Sequence, residues 1–228
     1  WTFEPGAGVI PDSVNGAKLM HQIYTAADAQ YSGRVTVPVL WDKKTATILS
    51  NESSEIIRMF NSEFDALGAQ SGDYYPNALR PEIEALNARI YATLNNGVYR
   101  CGFATTQTAY EAAITPLFDT LDWLEGILAN TRYLTGPDIT EADWRLFTTL
   151  IRFDPVYVGH FKCNLRRIVD YPNLSNYLRD LYQQPGIAET VNMQHIKEHY
   201  YASHDSINPS RVVPKGPTID FSQPHNRG

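Results

Sequence analysis

Apolar positions along the chain follow two rhythms. Up to residue 33 no period holds: Pro5, Gly6, Gly8 and Pro11 punctuate a polar start, and only 18–27 has room for two or three helical turns. Val35, Val37, Val39 and Leu40, closed by Trp41, then form a β-type run. A polar turn at 42–45 leads to Ala46, Thr47, Ile48 and Leu49, so the pattern predicts a hairpin of two short strands. Pro38 lies inside the first strand. It cannot donate to a ladder, which confines that strand to an edge or requires a special peptide bond. Asn51 is the predicted N-cap of a helix with apolar face Ile56, Ile57, Phe60 and Phe64 or Leu67, stopped by Gly68. Residues 69–80, polar and holding Gly72 and Pro76, read as a linker.

From Arg80 onward the rhythm is helical. Ile83, Leu86, Ile90 and Leu94 recur at helical spacing, then Tyr110, Ile114, Leu117, Leu121, Leu124 and Leu128 make an amphipathic stripe with Pro116 inside it, where a kink is expected. At 139–153 Thr140 can cap a helix while Asp143 reaches back, with Ile139 stapling onto Trp144. Further helices are expected at 163–170, 174–184 and 186–200, and 203–228 as an extended tail that wraps the body or frays. The predicted architecture is β-β-α followed by an all-helical domain, with a boundary between 1–72 and 73–228. Two strands cannot bury a sheet alone, so the first part reads as the second half of a larger α/β domain. The chain begins at Trp1 without Met, which fits the expectation of further sequence upstream.

Composition narrows the function classes. Of 228 residues 43% are apolar and 19% charged, enough for a sizeable core. The net charge is −6 and no Lys/Arg cluster stands out, which argues against nucleic acid as a partner. No apolar run reaches the ~18 residues of a membrane span, and the start does not read as a secretory leader. Two Cys make no disulfide framework and point to a reducing, cytoplasmic location. They are most simply buried thiols. Fourteen Tyr is a high count, and some are candidates for chemistry.

Two local patterns carry chemistry on their own. Glu52 and Ser53 at a helix start can hold an ammonium and a carboxylate, since free N–H groups and the helix dipole favour an anion there; the spacing alone fits a plain cap with a solvated Glu better. His195 and His199 fit H-x-x-E-H, with both His on one helix face. The sequence places no credible third ligand, although His204 or an acidic residue could serve, and no metal is expected.

Thr36-Val37-Pro38 before the hairpin and Asn51-Glu52-Ser53 opening a helix resemble the glutathione site of the glutathione transferase superfamily. Pro38-Val39-Leu40-Trp41-Asp42, Glu52-Ser53-Ser54-Glu55-Ile56-Ile57-Arg58, Asn95-Asn96-Gly97-Val98-Tyr99-Arg100-Cys101-Gly102-Phe103, Arg152-Phe153-Asp154-Pro155-Val156-Tyr157, His199-Tyr200-Tyr201 and Ile207-Asn208-Pro209 narrow the resemblance to its Xi class, the glutathionyl-hydroquinone reductases. It spans nearly the whole chain and implies an α/β plus all-α fold: a partial thioredoxin-like domain, then an all-helical substrate domain.

The resemblance implies glutathione as co-substrate, an aromatic quinol conjugate as partner molecule and a homodimer. It implies that Glu52 pairs with the γ-glutamyl ammonium and Ser53 binds its carboxylate. The backbone of Val37, before a cis Pro38, would pair with the tripeptide as an added strand. Val35 and Thr36 flank that contact, Arg34 would add positive charge, and Trp1 would pack over the ligand. Tyr99 would exchange a proton with the aromatic substrate, Tyr157 and Tyr200 would favour a thiolate, and Tyr201 would stack on the quinol. The family nucleophile is a Cys in Cys-Pro-Trp-Ala. Neither Cys101 nor Cys163 precedes Pro, so the nucleophile is expected upstream of Trp1. A Ser or Tyr at that upstream position would instead favour a general transferase that conjugates glutathione to electrophiles. An omega-like transferase or thiol transferase would share the Cys. The lack of all three residue types there would favour a non-enzymatic binding module.

Overall fold

A computed structural model describes residues 1–6 and 8–227; Gly228, the last position of the predicted tail, lies outside the described residues. The chain divides into two compact units, Trp1–Asp73 and Tyr74–Gly228.

The first unit holds α1 (Met20–Ala27), β1 (Leu40–Asp42), β2 (Thr47–Ser50) and α2 (Ser53–Ser62). Gln22 starts α1 by accepting the Lys18 and Leu19 amides on its Oε1 at 2.7 and 2.9 Å. β1 and β2 pair antiparallel, Trp41 opposite Ile48 and Asp42 opposite Thr47, with a register irregularity between Leu40 and Trp41. Asp42 organises the turn, its Oδ1 taking the Lys44 amide at 2.8 Å and its Oδ2 the Thr45 hydroxyl at 2.6 Å.

Four expectations are corrected in this unit. The first strand starts at Leu40, not Val35. Val35, Val37 and Val39 have β propensity but no partner strand there, and the Val37–Pro38 bond is cis. The α2 cap is Glu52 rather than Asn51, whose side chain is used elsewhere. α2 also ends at Ser62. A separate 3₁₀ turn, Asp65–Leu67, follows, and Gly68 closes that turn at φ 86. Of the predicted apolar face only Ile56 is buried; Ile57, Phe60, Phe64 and Leu67 are exposed.

The second unit carries the hydrophobic core. It comprises α3 (Arg80–Ile90), a π turn at Tyr91–Asn95, α4 (Gly97–Gly102), α5 (Gln107–Leu128), α6 (Glu141–Arg152), a second π turn at Phe153–Tyr157, α7 (Pro172–Tyr182) and α8 (Met193–Ser203). The predicted stripes are its centre: Ile83, Ile90, Leu94, Leu117, Leu121 and Leu124 are fully shielded, and α5 continues through Pro116.

α6 begins as the sequence indicates. Asp143 Oδ2 accepts the Thr140 amide at 2.8 Å and hydroxyl at 3.0 Å, while its Oδ1 accepts the Leu134 amide at 3.0 Å and the Tyr177 hydroxyl at 2.7 Å. One buried carboxylate thus joins a loop, α6 and α7.

α6 cannot run on past Pro155, which has no N–H to give. The chain widens instead into the π turn, with the Val158 amide on the Phe153 carbonyl at 3.0 Å, and this turn carries Tyr157. Asp154 fixes the return by accepting the Ile168 and Val169 amides at 2.6 and 3.1 Å. That region, expected as a helix over 163–170, holds only a 3₁₀ turn at Ile168–Asp170, because its backbone amides bond Asp154 rather than a helical ladder. The helix expected over 186–200 resolves into a 3₁₀ turn, Ala188–Thr190, and α8, which Asn192 caps through the His195 amide at 3.0 Å.

The tail has no regular structure yet is tied down. Lys197 Nζ donates to the Lys215 carbonyl at 2.7 Å and Gln183 Nε2 to those of Phe221 and Gln223 at 2.8 Å each. The Arg227 guanidinium reaches the carbonyls of Leu128, Thr131 and Arg132 at 3.1, 2.6 and 2.7 Å. No helix is long and apolar enough to cross a membrane among the described residues.

Candidate functional site

The candidate residues fall into two groups, one in each unit. In the first, Trp1, Arg34, Thr36, Val37, Glu52 and Ser53 are exposed and Val35 is half-buried. The Trp1 carbonyl accepts the Met20 amide at 3.2 Å, which anchors the chain start to α1. The 34–37 segment is held by two tyrosine hydroxyls: Tyr31 Oη donates to the Arg34 carbonyl at 2.6 Å and Tyr24 Oη to the Thr36 carbonyl at 2.9 Å. Among the described residues the Val37 backbone has no hydrogen-bond partner.

Glu52 is in extended conformation, φ −98 and ψ 113, and its carbonyl accepts the Glu55 and Ile56 amides at 3.0 Å each. Its own amide donates to Ser50 Oγ at 3.1 Å, and that hydroxyl donates to Glu55 Oε2 at 2.8 Å. These bonds fix the Glu52 backbone and leave its carboxylate in solvent. Ser53, first in α2, presents an N–H and a hydroxyl that bond nothing among the described residues. Asn51 Nδ2 donates to Tyr24 Oη at 3.1 Å, so the neighbours of Val37 and of Glu52 meet on one phenol. Burial pushes that phenol up, but bonds to Thr36 and Asn51 outweigh it and hold Tyr24 below its ordinary value.

In the second unit three predicted tyrosines converge from separate elements. Tyr99 comes from α4, Tyr157 from the π turn and Tyr200 from α8. Tyr200 Oη lies 2.6 Å from Tyr99 Oη and 2.9 Å from Tyr157 Oη, an unbroken chain of three hydroxyls. Burial, reinforced by Tyr200, drives the Tyr99 and Tyr157 hydroxyls well above the usual phenol range. Both therefore stay protonated at neutral pH. Tyr157 and Tyr200 are buried, whereas Tyr99 is 36% exposed and is the end of the chain open to a ligand. Phe161 backs the group, stacked on Tyr157 at 5.5 Å. Gly102 permits this, since a Cβ there would fall 2.1 Å from the Phe161 ring.

Tyr201 turns away from the chain and donates to the Pro155 carbonyl at 3.3 Å, its ring 4.7 Å from that of His160. Sequence reasoning passed over His160 and named His204 only as a candidate third ligand beside His195 and His199. His160 is buried, its Nε2 3.0 Å from His204 Nδ1, and burial pushes its pKa down to about 4. Nothing in the sequence pairs two His 44 residues apart. Tyr24 and Asn51 were also passed over as site residues. Their signal was present, as a tyrosine on a short helix and a polar residue before Glu-Ser, but it fits ordinary structure as well.

Neither cysteine is accessible: Cys101 and Cys163 are 1% and 0% exposed. Their mutual hydrogen bond, with burial, drives the Cys163 thiol up, and the same bond holds Cys101 below its ordinary value. No group of three or more His, Cys, Asp or Glu is placed to hold a metal ion among the described residues.

Residues 107–180 match the family model for the glutathione S-transferase C-terminal domain. The chain is 62% identical to the glutathionyl-hydroquinone reductase PcpF of Sphingobium chlorophenolicum, over 95% of this chain and 69% of that protein. It is 58% identical to the glutathionyl-hydroquinone reductase YqjG of Escherichia coli K12, over 100% of this chain and 70% of that protein. The glutathione-bound structure of YqjG superposes with a TM-score of 0.97, covering 100% of this chain and 74% of that one. The Xi glutathione S-transferase of Phanerochaete chrysosporium, 52% identical, superposes at 0.94 over 98% of this chain and 78% of that one. The chain belongs to the glutathionyl-hydroquinone reductases, the Xi class of the glutathione transferase superfamily.

Proposed function

We propose that the protein reduces glutathionyl-hydroquinones to hydroquinones by thiol–disulfide exchange, with glutathione as co-substrate. A Cys thiolate supplied from sequence before Trp1 attacks the glutathione sulfur of the conjugate and forms a mixed disulfide. The carbon–sulfur bond breaks and its electron pair stays on the aromatic ring. Tyr99 delivers a proton to that carbon and regains one from solvent at its exposed end, while the Tyr200 hydroxyl, itself bonded to Tyr157, steadies the phenolate left in between. Free glutathione then resolves the mixed disulfide and leaves as oxidised glutathione.

The first unit supplies the tripeptide site. The Val37 backbone pairs with glutathione as an added strand, flanked by Val35 and Thr36. Glu52 takes the γ-glutamyl ammonium, and Ser53 with the α2 N-terminus takes the carboxylate. Arg34 adds positive charge and Trp1 covers the ligand. Tyr157 and Tyr200, buried behind Tyr99, favour the thiolate through the Tyr99 hydroxyl, and Tyr201, next in α8, borders the quinol site.

The observation that carries this reading is the Tyr99–Tyr200–Tyr157 hydroxyl chain, in which a raised pKa keeps a proton donor loaded at the exposed end. Names of relatives support the same activity. Two free, buried cysteines fit a cytoplasmic protein, and superfamily habit favours a homodimer.

The test supplies glutathionyl-menadiol and glutathione and follows menadiol and oxidised glutathione. Stoichiometric release of both is expected. Conjugation of glutathione to an electrophile without reduction would favour a general transferase, and glutathione binding with neither reaction a binding module.

A further inference from the structure

Tyr24 has no part in the tripeptide contacts above, yet its position is unusual. It is 2% exposed on a helix of eight residues, in a unit with few buried side chains. Its hydroxyl is fully used: it donates to the Thr36 carbonyl at 2.9 Å, accepts the Thr36 amide at 3.3 Å and accepts Asn51 Nδ2 at 3.1 Å. Thr36 precedes Val37, and Asn51 precedes Glu52. A backbone site for a peptide needs its two walls held at a fixed separation, because each hydrogen bond loses strength steeply with misalignment. The β1–β2 ladder stops at the Leu40–Ser50 pair, short of both walls. Beyond it Asn51 Nδ2 spans the gap, to the Tyr24 hydroxyl at 3.1 Å and more weakly to Thr36 Oγ1 at 3.5 Å, so the Tyr24 hydroxyl is the shorter link between them.

Tyr31 reinforces the arrangement. Its ring lies 4.8 Å from that of Tyr24, and its hydroxyl holds the Arg34 carbonyl at 2.6 Å. The two phenols thereby hold carbonyls two residues apart. In an extended chain that spacing turns the intervening and following groups the other way. Val37, beyond the second held carbonyl, is the position whose backbone is left unpaired among the described residues.

We propose that Tyr24 is a positioning residue for glutathione, fixing the Val37 wall against the Glu52–Ser53 wall through its hydroxyl. This rests on the tripeptide site proposed above. The role belongs to the oxygen and not the ring, so Tyr24→Phe keeps the packing and removes only the link.

Calorimetric titration with glutathione, beside steady-state kinetics and thermal melts, tests it. Tyr24→Phe is expected to weaken glutathione binding about ten-fold, the scale of one or two lost hydrogen bonds. KM for glutathione rises while kcat at saturation holds, a split that a general loss of stability would not produce. Asn51→Ala cuts the link from its other end without touching the buried ring and raises the same Kd. Combining the two costs little more than either alone, since both remove one link. Unchanged glutathione affinity in folded Tyr24→Phe, or in Asn51→Ala where the first variant fails to fold, would overturn the role. A wild-type protein that binds no glutathione would overturn the tripeptide site and the role together.

Discussion

In the function proposed above, the two units build their halves of the chemistry from different materials. In the first, the groups offered to a ligand are backbone amides, a carbonyl and helix-start donors, and nearly every residue of the site is exposed. In the second, three side-chain hydroxyls from α4, a π turn and α8 are packed into an aromatic core, and only Tyr99 reaches the surface. The difference follows from what each half handles. A tripeptide is recognised by its main chain and charged ends, which polypeptide backbone and a helix dipole match at little cost in burial. Proton delivery to carbon needs an acid held at one point and kept protonated, which burial achieves by raising the phenol pKa.

Four perturbations break or sharpen that contrast. The largest effect is expected for Asp143→Ala. It strands the Leu134 and Thr140 amides and the Tyr177 hydroxyl, and costs on the order of 4 kcal/mol of stability. Hydrogen exchange should show the loss in the second unit, with α1 and β2 protected as before. Next is Tyr99→Phe, expected to slow hydroquinone release about 100-fold, within the range for a positioned acid, while glutathione affinity stays within two-fold. Equal turnover would remove Tyr99 from proton transfer. Glu52→Ala should do the reverse, weakening glutathione binding about ten-fold and leaving kcat at saturation near the native value. An unchanged Kd would end the ammonium assignment.

The smallest effect is acid sensitivity. His160 is held neutral by burial, with a folded pKa of about 4 against 6.5 for the free side chain. Between those values the unfolded chain binds more protons than the folded one, so stability falls as pH drops from 6.5 towards 4. His199 and His204, shifted the same way, add to the slope. Urea midpoints at pH 7 and 5 should show the loss, and His160→Gln should flatten it. A midpoint independent of pH would contradict the buried pair.

Legibility in the sequence divides along the same line. The helical unit could be read far in advance, because Ile83, Leu86, Ile90 and the Leu117–Leu121–Leu124 stripe obey one period and Thr140 with Asp143 spells a cap. It failed at 163–170, where Asp154 takes the amides a helix would have used. In the first unit, propensity misled: Val35, Val37 and Val39 read as strand, but a strand needs a partner that local sequence cannot promise. Asn51 read as a cap because its chemistry suits one, whereas its amide serves Tyr24. The tyrosine chain was legible only as three separate residues in family motifs; that their hydroxyls meet depends on the π turn that Pro155 forces. The histidine pair left no local trace.

The account turns on where glutathione lies. Titrating the isotope-labelled protein with glutathione and following backbone amide resonances tests that directly. The largest shifts are expected at Val37, Ser53 and Ser54, with Tyr99 and Tyr200 moving least. Shifts concentrated in the helical unit, with Val37 and Ser53 unmoved at saturation, would contradict it.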